Sequence, residues 1–463
     1  MQADEDLEDA DWAENELGLV QLGDKRLTAR LVSLARTLAR APDASLPEAL
    51  PQWGDLKAAY RFFDNAKAMP EHILAGHIDA TWTRAREVPV VLAVQDTTCF
   101  DWTHHPHTEG LGPMSPQWAR GVLCHSTLAV TPERLPLGLL AQRNWVRDDK
   151  TFAALPAAAK RTVAGKESNK WLDSVKALAV AREAAPQTTF VSVGDREADV
   201  YDLFAMERPP GVELLVRATR NRVIAGEART LWETVLAAPI LGSMEITVPR
   251  RAASPTRTCT IDLRSVPVTL LPPTNRRGRK GFAEVPMWAI LATENVPSPE
   301  GAAIEWMLLT TVPAPTVETA IERVNWYTCR WTIEVWHRVL KTGCRIESRQ
   351  LETVERLEVA LTLYGIIAWR ILYATMLARL DPTLPCTVLL TNDEWQALYC
   401  RAQRVAIPAA TPPSLAQAIS WIARLGGFLV RKGDGDPGPH VLWRGFQHLD
   451  HITEMFLIMR SNE

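Results

Sequence analysis

The chain has 463 residues, of which 23% are charged and 47% hydrophobic. That balance excludes a largely disordered or low-complexity protein and, at roughly 150 residues per unit, suggests about three folding units. Its 51 Lys plus Arg against 54 Asp plus Glu leave a net charge of -3, so bulk charge points to neither a nucleic-acid nor a membrane partner. Seven cysteines without a Cys-x-x-Cys pair argue against a disulfide framework and a structural zinc site. No basic stretch followed by an apolar core opens the chain, so a soluble, cytosolic protein is expected.

Residues 1–16 are strongly acidic, so charge elsewhere leans basic. Gly23-Asp24 is a stop and N-cap ahead of a helix over residues 25–40. Leu27, Leu31, Leu34 and Leu38 form its apolar stripe, while Lys25, Arg26, Arg30, Arg36 and Arg40 fall on a largely separate arc. A solvated face and a helix that meets DNA phosphates both fit that arc.

From Val90 the pattern changes. Residues 90–94 are a continuous apolar run, as in a strand buried on both faces, ending at Gln95-Asp96. Residues 123–130 and 135–142 read as neighbouring strands joined by a turn at 131–134, and residues 171–185 as a helix. A strand at 188–193 again ends in an acid, Gly194-Asp195, and a strand at 212–216 ends at Arg217. Between about 223 and 305 short β-like runs alternate with turn residues. That β-rich insertion carries Arg250, Arg251, Arg257, Arg264, Arg276, Arg277, Arg279 and Lys280, a local basic stretch that the net charge conceals. A strand from Trp306 leads through Pro313 and Pro315 into a long helix over about 317–341. The apolar helical runs at 357–380 are interrupted by Arg370, which favours a buried helix over a bilayer span. A C-terminal unit closes with the apolar face Leu442, Phe446, Leu449, Ile452 and Phe456, a core helix or a self-association surface.

Two strands ending in aspartate place Asp96 and Asp195 where α/β proteins collect functional groups. A lone strand-end aspartate is more often a cap or turn former. On the helix after Pro315, Tyr327, Arg330, Glu334 and Lys341 are spaced +3, +4 and +7, one polar stripe at ~100° per residue. Such a stripe is either a solvated salt-bridge ladder or part of a phosphate site. Three carboxylates from separate elements are a ligand set for two divalent cations about 3.5–4 Å apart, which clamp the attacking and leaving oxygens of phosphoryl transfer.

Val94-Gln95-Asp96-Thr97-Thr98, Gly194-Asp195-Arg196-Glu197-Ala198-Asp199 and Tyr327-x2-Arg330-x3-Glu334-x6-Lys341 resemble the three motifs of the insertion-sequence-four (IS-four) family of DDE transposases. Leu22-Gly23-Asp24-x-Arg26-x-Thr28-Ala29-Arg30-Leu31 and Ala59-Tyr60-Arg61-Phe62 resemble that family's end-binding unit, and Ile422-Ala423-Arg424-Leu425-Gly426-Gly427-Phe428 its dimerisation unit. The resemblance implies an α/β architecture: an RNase H-like catalytic core at 71–375 with the β-rich insertion at about 223–305. A helical DNA-binding domain at 1–70 and a mainly helical dimerisation domain at 376–463 would flank it.

The same resemblance implies a catalytic and metal-binding triad of Asp96, Asp195 and Glu334. It implies DNA or phosphate contacts at Tyr327, Arg330, Lys341, Arg217, Arg220, Arg222, His337, Arg338, Arg26 and Arg30, with Arg338 standing where a lysine is found in the family. Trp306 and Trp331 would form a pocket for a flipped base. Two Mg2+ ions, with Mn2+ as a substitute, double-stranded DNA at element ends and target, and a homodimer in the synaptic complex complete the expectation. The activity implied is cut-and-paste transposition through a hairpin. Two other readings remain at this level: a DNA-binding repressor without catalysis, and a metal-dependent nuclease that never joins strands. His104-His105-Pro106-His107 lacks a second ligand cluster and reads as a loop, and Gly278-Arg279-Lys280-Gly281 reads as a turn lacking the P-loop pattern.

Overall fold

A computed structural model of the chain describes residues 11–116, 118–148, 167, 169–226, 230–248, 257–273, 283–295, 303–431 and 433–461. Five helices come first: α1 (Trp12–Leu17), α2 (Lys25–Arg40), α3 (Leu46–Ala49), α4 (Trp53–Phe63) and α5 (Pro70–Ala85). The Asp24 carboxylate caps α2 by accepting the Arg26 N–H at 2.9 Å, and Leu31, Leu34 and Leu38 enter the core as their spacing predicts. The basic arc divides. Arg26 is exposed and Arg30 lies 3.6 Å from Asp55, whereas Arg36 pairs with Asp11 and Glu14, and Arg40 with Asp450 of the C-terminal unit at 2.9 Å.

The sheet begins with β1 (Val90–Asp101), β2 (Gly112–Pro113), β3 (Arg120–Val130) and β4 (Pro136–Trp145). Helix α6 (Asn169–Ala184) follows, then β5 (Thr189–Gly194), α7 (Tyr201–Ala205), β6 (Val212–Arg217) and α8 (Leu231–Ala237). β1 is central. It runs antiparallel to β3, which carries β4, and parallel to β5, which is parallel to β6. The order β4-β3-β1-β5-β6, with three antiparallel strands and then parallel ones, is the RNase H-like arrangement.

The described part of the β-rich insertion at 223–305 is continuous with the core sheet. β7 (Gly242–Val248), β8 (Arg257–Leu270), β9 (Val285–Glu294) and β10 (Glu305–Thr310) continue the same sheet beyond β6 in the order β10-β9-β8-β7, all antiparallel. Where short runs are expected, β8 is one continuous strand of 14 residues. Its polar middle is satisfied in place, since Arg264 Nε donates to the Ala238 carbonyl at 3.1 Å and Ser265 Oγ to the Ala314 carbonyl at 2.7 Å. Arg257 is paired with Glu294. Arg250, Arg251, Arg276, Arg277, Arg279 and Lys280, with the Gly278–Gly281 turn, lie outside the described residues.

The long helix expected over 317–341 is broken. α9 (Val317–Thr328) ends at a turn, α10 (Trp331–Arg338) resumes, and a π-helical turn covers Val339–Gly343. α11 (Val354–Leu380) is long and apolar enough to cross a membrane, but 83% of its apolar window is buried inside the protein, where it is the principal core helix. α12 (Asn392–Gln403), α13 (Leu415–Leu425) and α14 (Pro439–Arg460) form the C-terminal unit. Leu442, Phe446 and Leu449 of α14 pack into its core, while Met455, Ile458 and Met459 remain exposed.

Candidate active site

Asp96 is not at the end of its strand but in the middle of the twelve residues of β1. What ends there is the parallel partner. Pairing with β5 stops at Val94↔Val193, so beyond that rung β1 keeps only β3 beside it, with Asp96 opposite Ser126. Asp195 follows β5 directly, and its carboxylate accepts the Glu197 N–H at 2.8 Å, capping a 3-10 turn over Arg196–Ala198. Capping and site membership are therefore compatible for this residue. Further along the same motif, buried Asp199 accepts the N–H groups of Thr219 and Arg220 at 2.8 Å and pairs with Arg222. This fixes the loop that follows Arg217 at the end of β6 and carries Arg220 and Arg222.

The third carboxylate comes from α10. Arg330 Nη2 lies 2.5 Å from Glu334 Oε1, and its charge also bears on Asp96, Asp195 and Tyr327. His337, one turn beyond Glu334, is buried with Nδ1 3.6 Å from Asp96 Oδ2. Burial raises the Asp96 carboxyl, but His337 and Arg330 outweigh it and hold the group below the usual aspartate range. Asp195 shifts the other way. Burial pushes it up, only partly offset by the Glu197 amide and Arg330, and the Asp96 charge adds to the rise.

Glu334 is held by Arg330 and Asp96 by His337, so among the described residues no three metal-ligating side chains close around one point. The donor set itself is apt: three hard carboxylate oxygens suit a hard divalent cation. Two buried polar atoms here also lack partners, Arg330 Nε and His337 Nε2. Groups of this kind are the ones that a bound phosphate, water or ion satisfies.

The +3, +4, +7 stripe survives only in part. At the elbow, Cys329 and Arg330 donate to carbonyls three residues back, Trp326 at 3.1 Å and Tyr327 at 3.1 Å, so the helix tightens to 3-10 geometry. Lys341 lies in the π turn and departs from the stripe. Its Nζ is 2.6 Å from the Cys99 carbonyl of β1 and 3.7 Å from Glu347. Burial pushes Tyr327 above the usual phenol range against the pull of the nearby Arg330 and Arg217 charges, and Arg217 Nη2 donates to the Glu305 carbonyl at 3.0 Å.

Trp306 is the neighbour of both Tyr327 and Trp331. Its ring centroid is 5.4 Å from Tyr327 and 6.0 Å from Trp331, both edge-to-face. Arg220 and Arg338 are exposed, whereas Arg222 is half-buried on Asp199 and His337 is buried against Asp96. Arg26 and Arg30 stand apart on α2.

A buried polar chain behind β1 escapes sequence reading. Gln95 donates to Ser192 at 2.7 Å, His125 is 3.3 Å from Gln95, and Thr97 is 2.9 Å from His125. Burial lowers the His125 imidazole to about 3, so it is neutral. Only the alternation of polar residues within apolar strands hints at this chain.

A sheet of this order with acids at the edge of its central parallel pair has the RNase H-like architecture, one that polynucleotidyl-transfer enzymes use. Three family profiles match: Transposase DNA-binding over residues 9–68, Transposase DDE domain over 94–370 and Transposase Tn5 dimerisation domain over 366–462. The second covers more than half of the chain, and the protein belongs to the DDE transposases, of the IS-four, Tn5-like type. It is accordingly a metal-dependent DNA-cleaving and strand-transferring enzyme of DNA transposition, with DNA as partner and a dimerisation domain.

Proposed function

We propose that the chain performs cut-and-paste transposition of an insertion sequence, with Asp96, Asp195 and Glu334 as the catalytic, metal-holding triad. The observation that carries this reading is the position of Arg330. It contacts or faces all three carboxylates while its Nε is buried and unpartnered, which leaves a donor for phosphate beside the acids. Two Mg2+ ions, replaceable by Mn2+, fit the donor set and, when bound, supply water activation and charge neutralisation at phosphorus.

The chain's own residues do the rest. Arg330, Tyr327 and Lys341 hold the scissile phosphate in line, with the Arg217 charge beside Tyr327. Arg220, His337 and Arg338 extend the contact, with Arg222 anchoring the loop through Asp199. Trp306 and Trp331 receive a base extruded from the strained end and recover part of its stacking. Water oxygen attacks phosphorus and a 3′ hydroxyl leaves. That hydroxyl then attacks the opposite strand to give a hairpin. A second water reopens the hairpin, and the freed 3′ hydroxyl attacks target DNA. Every step exchanges one phosphorus–oxygen bond for another, so no ATP is needed.

The division at 1–70, 71–375 and 376–463 assigns end recognition to α2 with Arg26 and Arg30, and pairing of two DNA-bound copies to the C-terminal unit. The resulting homodimer brings two ends together in the DNA-containing cytoplasm.

The test uses purified protein with linear DNA carrying the flanks of its own gene, in Mg2+ or EDTA, beside Glu334→Ala. Metal-dependent cutting at a defined end, with a hairpin or joined product absent from the mutant, is the expected result. Tight end binding without cutting in Mg2+ or Mn2+ would replace this reading with that of a repressor.

A further inference from the structure

We infer that Arg134, in the β3–β4 turn, is a positioning residue that clamps the α9–α10 elbow and so sets Tyr327, Arg330 and Glu334 against the two aspartates. The inference rests on the proposed roles of those three residues.

Arg134 is in the left-handed region, with φ at 73°. The turn is closed by Arg134 N–H to the Thr131 carbonyl at 2.8 Å and Thr131 N–H to the Leu135 carbonyl at 2.9 Å, and the β3–β4 register shifts beside it. A tight turn followed by a left-handed bulge residue is a position where glycine or asparagine is at ease and a long side chain is strained. Strain of this kind persists where the side chain has a use.

The use is visible. Arg134 Nη2 donates to Thr328 Oγ1 at 2.8 Å, across 194 positions of sequence. Thr328 is the last residue of α9 and is buried, and its hydroxyl in turn donates to the Asn325 carbonyl at 2.7 Å. The next residue meets the same turn, with Cys329 Sγ 3.5 Å from the Pro132 carbonyl. The turn therefore grips the two residues immediately before Arg330, where the helix tightens from α to 3-10 geometry. A tightened segment in mid-helix is a common hinge. Tyr327 precedes the gripped pair and Arg330 follows it, so a shift of the elbow moves both phosphate ligands together and rotates Glu334 one turn on.

The experiment compares wild type, Arg134→Gly, Thr328→Val and the double variant in the full-length protein. Three readings are taken: thermal midpoint, affinity for end DNA with its salt dependence, and single-turnover first-strand cleavage. Glycine relieves the strained backbone, so Arg134→Gly should keep or raise the midpoint. Its cleavage rate should fall about ten- to a hundred-fold, the range for outer-shell partners of a metal site. End affinity should not change, and the double variant should be no slower than either single one. Amide exchange over residues 328–334 should accelerate in Arg134→Gly whether or not cleavage is observed. A wild type that does not cut therefore defeats the proposed function while exchange still decides the clamp. An unchanged rate and exchange in Arg134→Gly overturns the inference, as do additive losses in the double variant. A fall in end affinity with a shallower salt slope also overturns it, because Arg134 then contacts phosphate directly.

Discussion

Asp96 within β1 and Asp195 just beyond the end of β5 stand at matching positions: each lies two residues past Val94↔Val193, the last paired rung of the two parallel strands. Their spacing is set by backbone hydrogen bonding and not by side-chain choice. Substitution of either acid by Ala is expected to leave the fold and end binding intact. First-strand cleavage should fall on the order of 10³-fold or more, the scale for one member of a catalytic unit. The double substitution should cost no more than the worse single one, because the two carboxylates act together. Single-turnover cleavage of end DNA by the two single variants and the double variant checks this, and multiplicative losses would separate the two roles.

Trp306 joins Tyr327 to Trp331 in one aromatic cluster, with centroids 5.4 and 6.0 Å apart. Base stacking on an aromatic ring is worth ~1–3 kcal/mol by alanine substitution. Trp306→Ala and Trp331→Ala should therefore slow hairpin closure about 10–100-fold while first-strand nicking stays within a few-fold of wild type. A fluorescent base analogue at the terminal positions should lose its extrusion signal in both variants. Equal slowing of nicking and closure would mean that the cluster supports the fold instead.

Much of this arrangement is legible in the sequence because it depends on short-range patterns. The apolar run before Gln95-Asp96, the run before Gly194-Asp195 and the turn between β3 and β4 all report local burial and turn chemistry. The helix over 317–341 misleads at 100° per residue because its period changes twice, to 3-10 at Cys329–Arg330 and to a π turn at Val339–Gly343. Both changes fall on residues of the proposed phosphate set, and neither leaves a composition signal. His337 against Asp96, Asp199 against Arg222 and Lys341 against the Cys99 carbonyl are contacts between distant segments. Such pairs are invisible until the strands are aligned. The halving of the basic arc on α2 has the same origin, since Arg40 meets Asp450 some 400 residues on.

Arg330 holds Glu334 through Nη2 while its charge bears on Asp96, Asp195 and Tyr327, and its planar fork leaves Nε for a further acceptor. Lysine keeps the charge but not the geometry. Arg330→Lys should therefore lose about as much single-turnover cleavage as Arg330→Ala, within about threefold, while retaining most of the salt dependence of binding. Lys341 contrasts with it, being a point charge on a flexible stem. Lys341→Arg should keep much of the activity, and Lys341→Ala should lower the salt slope of end binding by about one. A rescue pattern opposite to this would exchange the two assignments.

The buried pair His77 and Glu16 ties the first helix to α5 and predicts how stability depends on pH. His77 Nε2 accepts the Leu139 N–H at 2.9 Å and its Nδ1 is 2.5 Å from Glu16 Oε2, so the ring is neutral with the proton on Nδ1. Arg84 also reaches Glu16, at 2.6 Å. Burial lowers the His77 imidazole more than Glu16 raises it. Burial pushes the Glu16 carboxyl up, but His77 and Arg84 outweigh that and hold it below the usual glutamate range. Both shifts act in one direction. Below 6.5 the unfolded chain binds a proton at residue 77 that the folded chain refuses, and below 4.5 the same holds for residue 16. Stability should therefore fall continuously from near neutral pH to about pH 4 at these two sites. His77→Gln, which keeps a donor and an acceptor, should flatten the upper part of that fall, between about pH 6.5 and 5, while Arg84 keeps part of the lower fall in place. Thermal midpoints of wild type and His77→Gln across this range decide the matter. Parallel curves would show that His77 carries a proton in the folded protein, contrary to the Leu139 hydrogen bond.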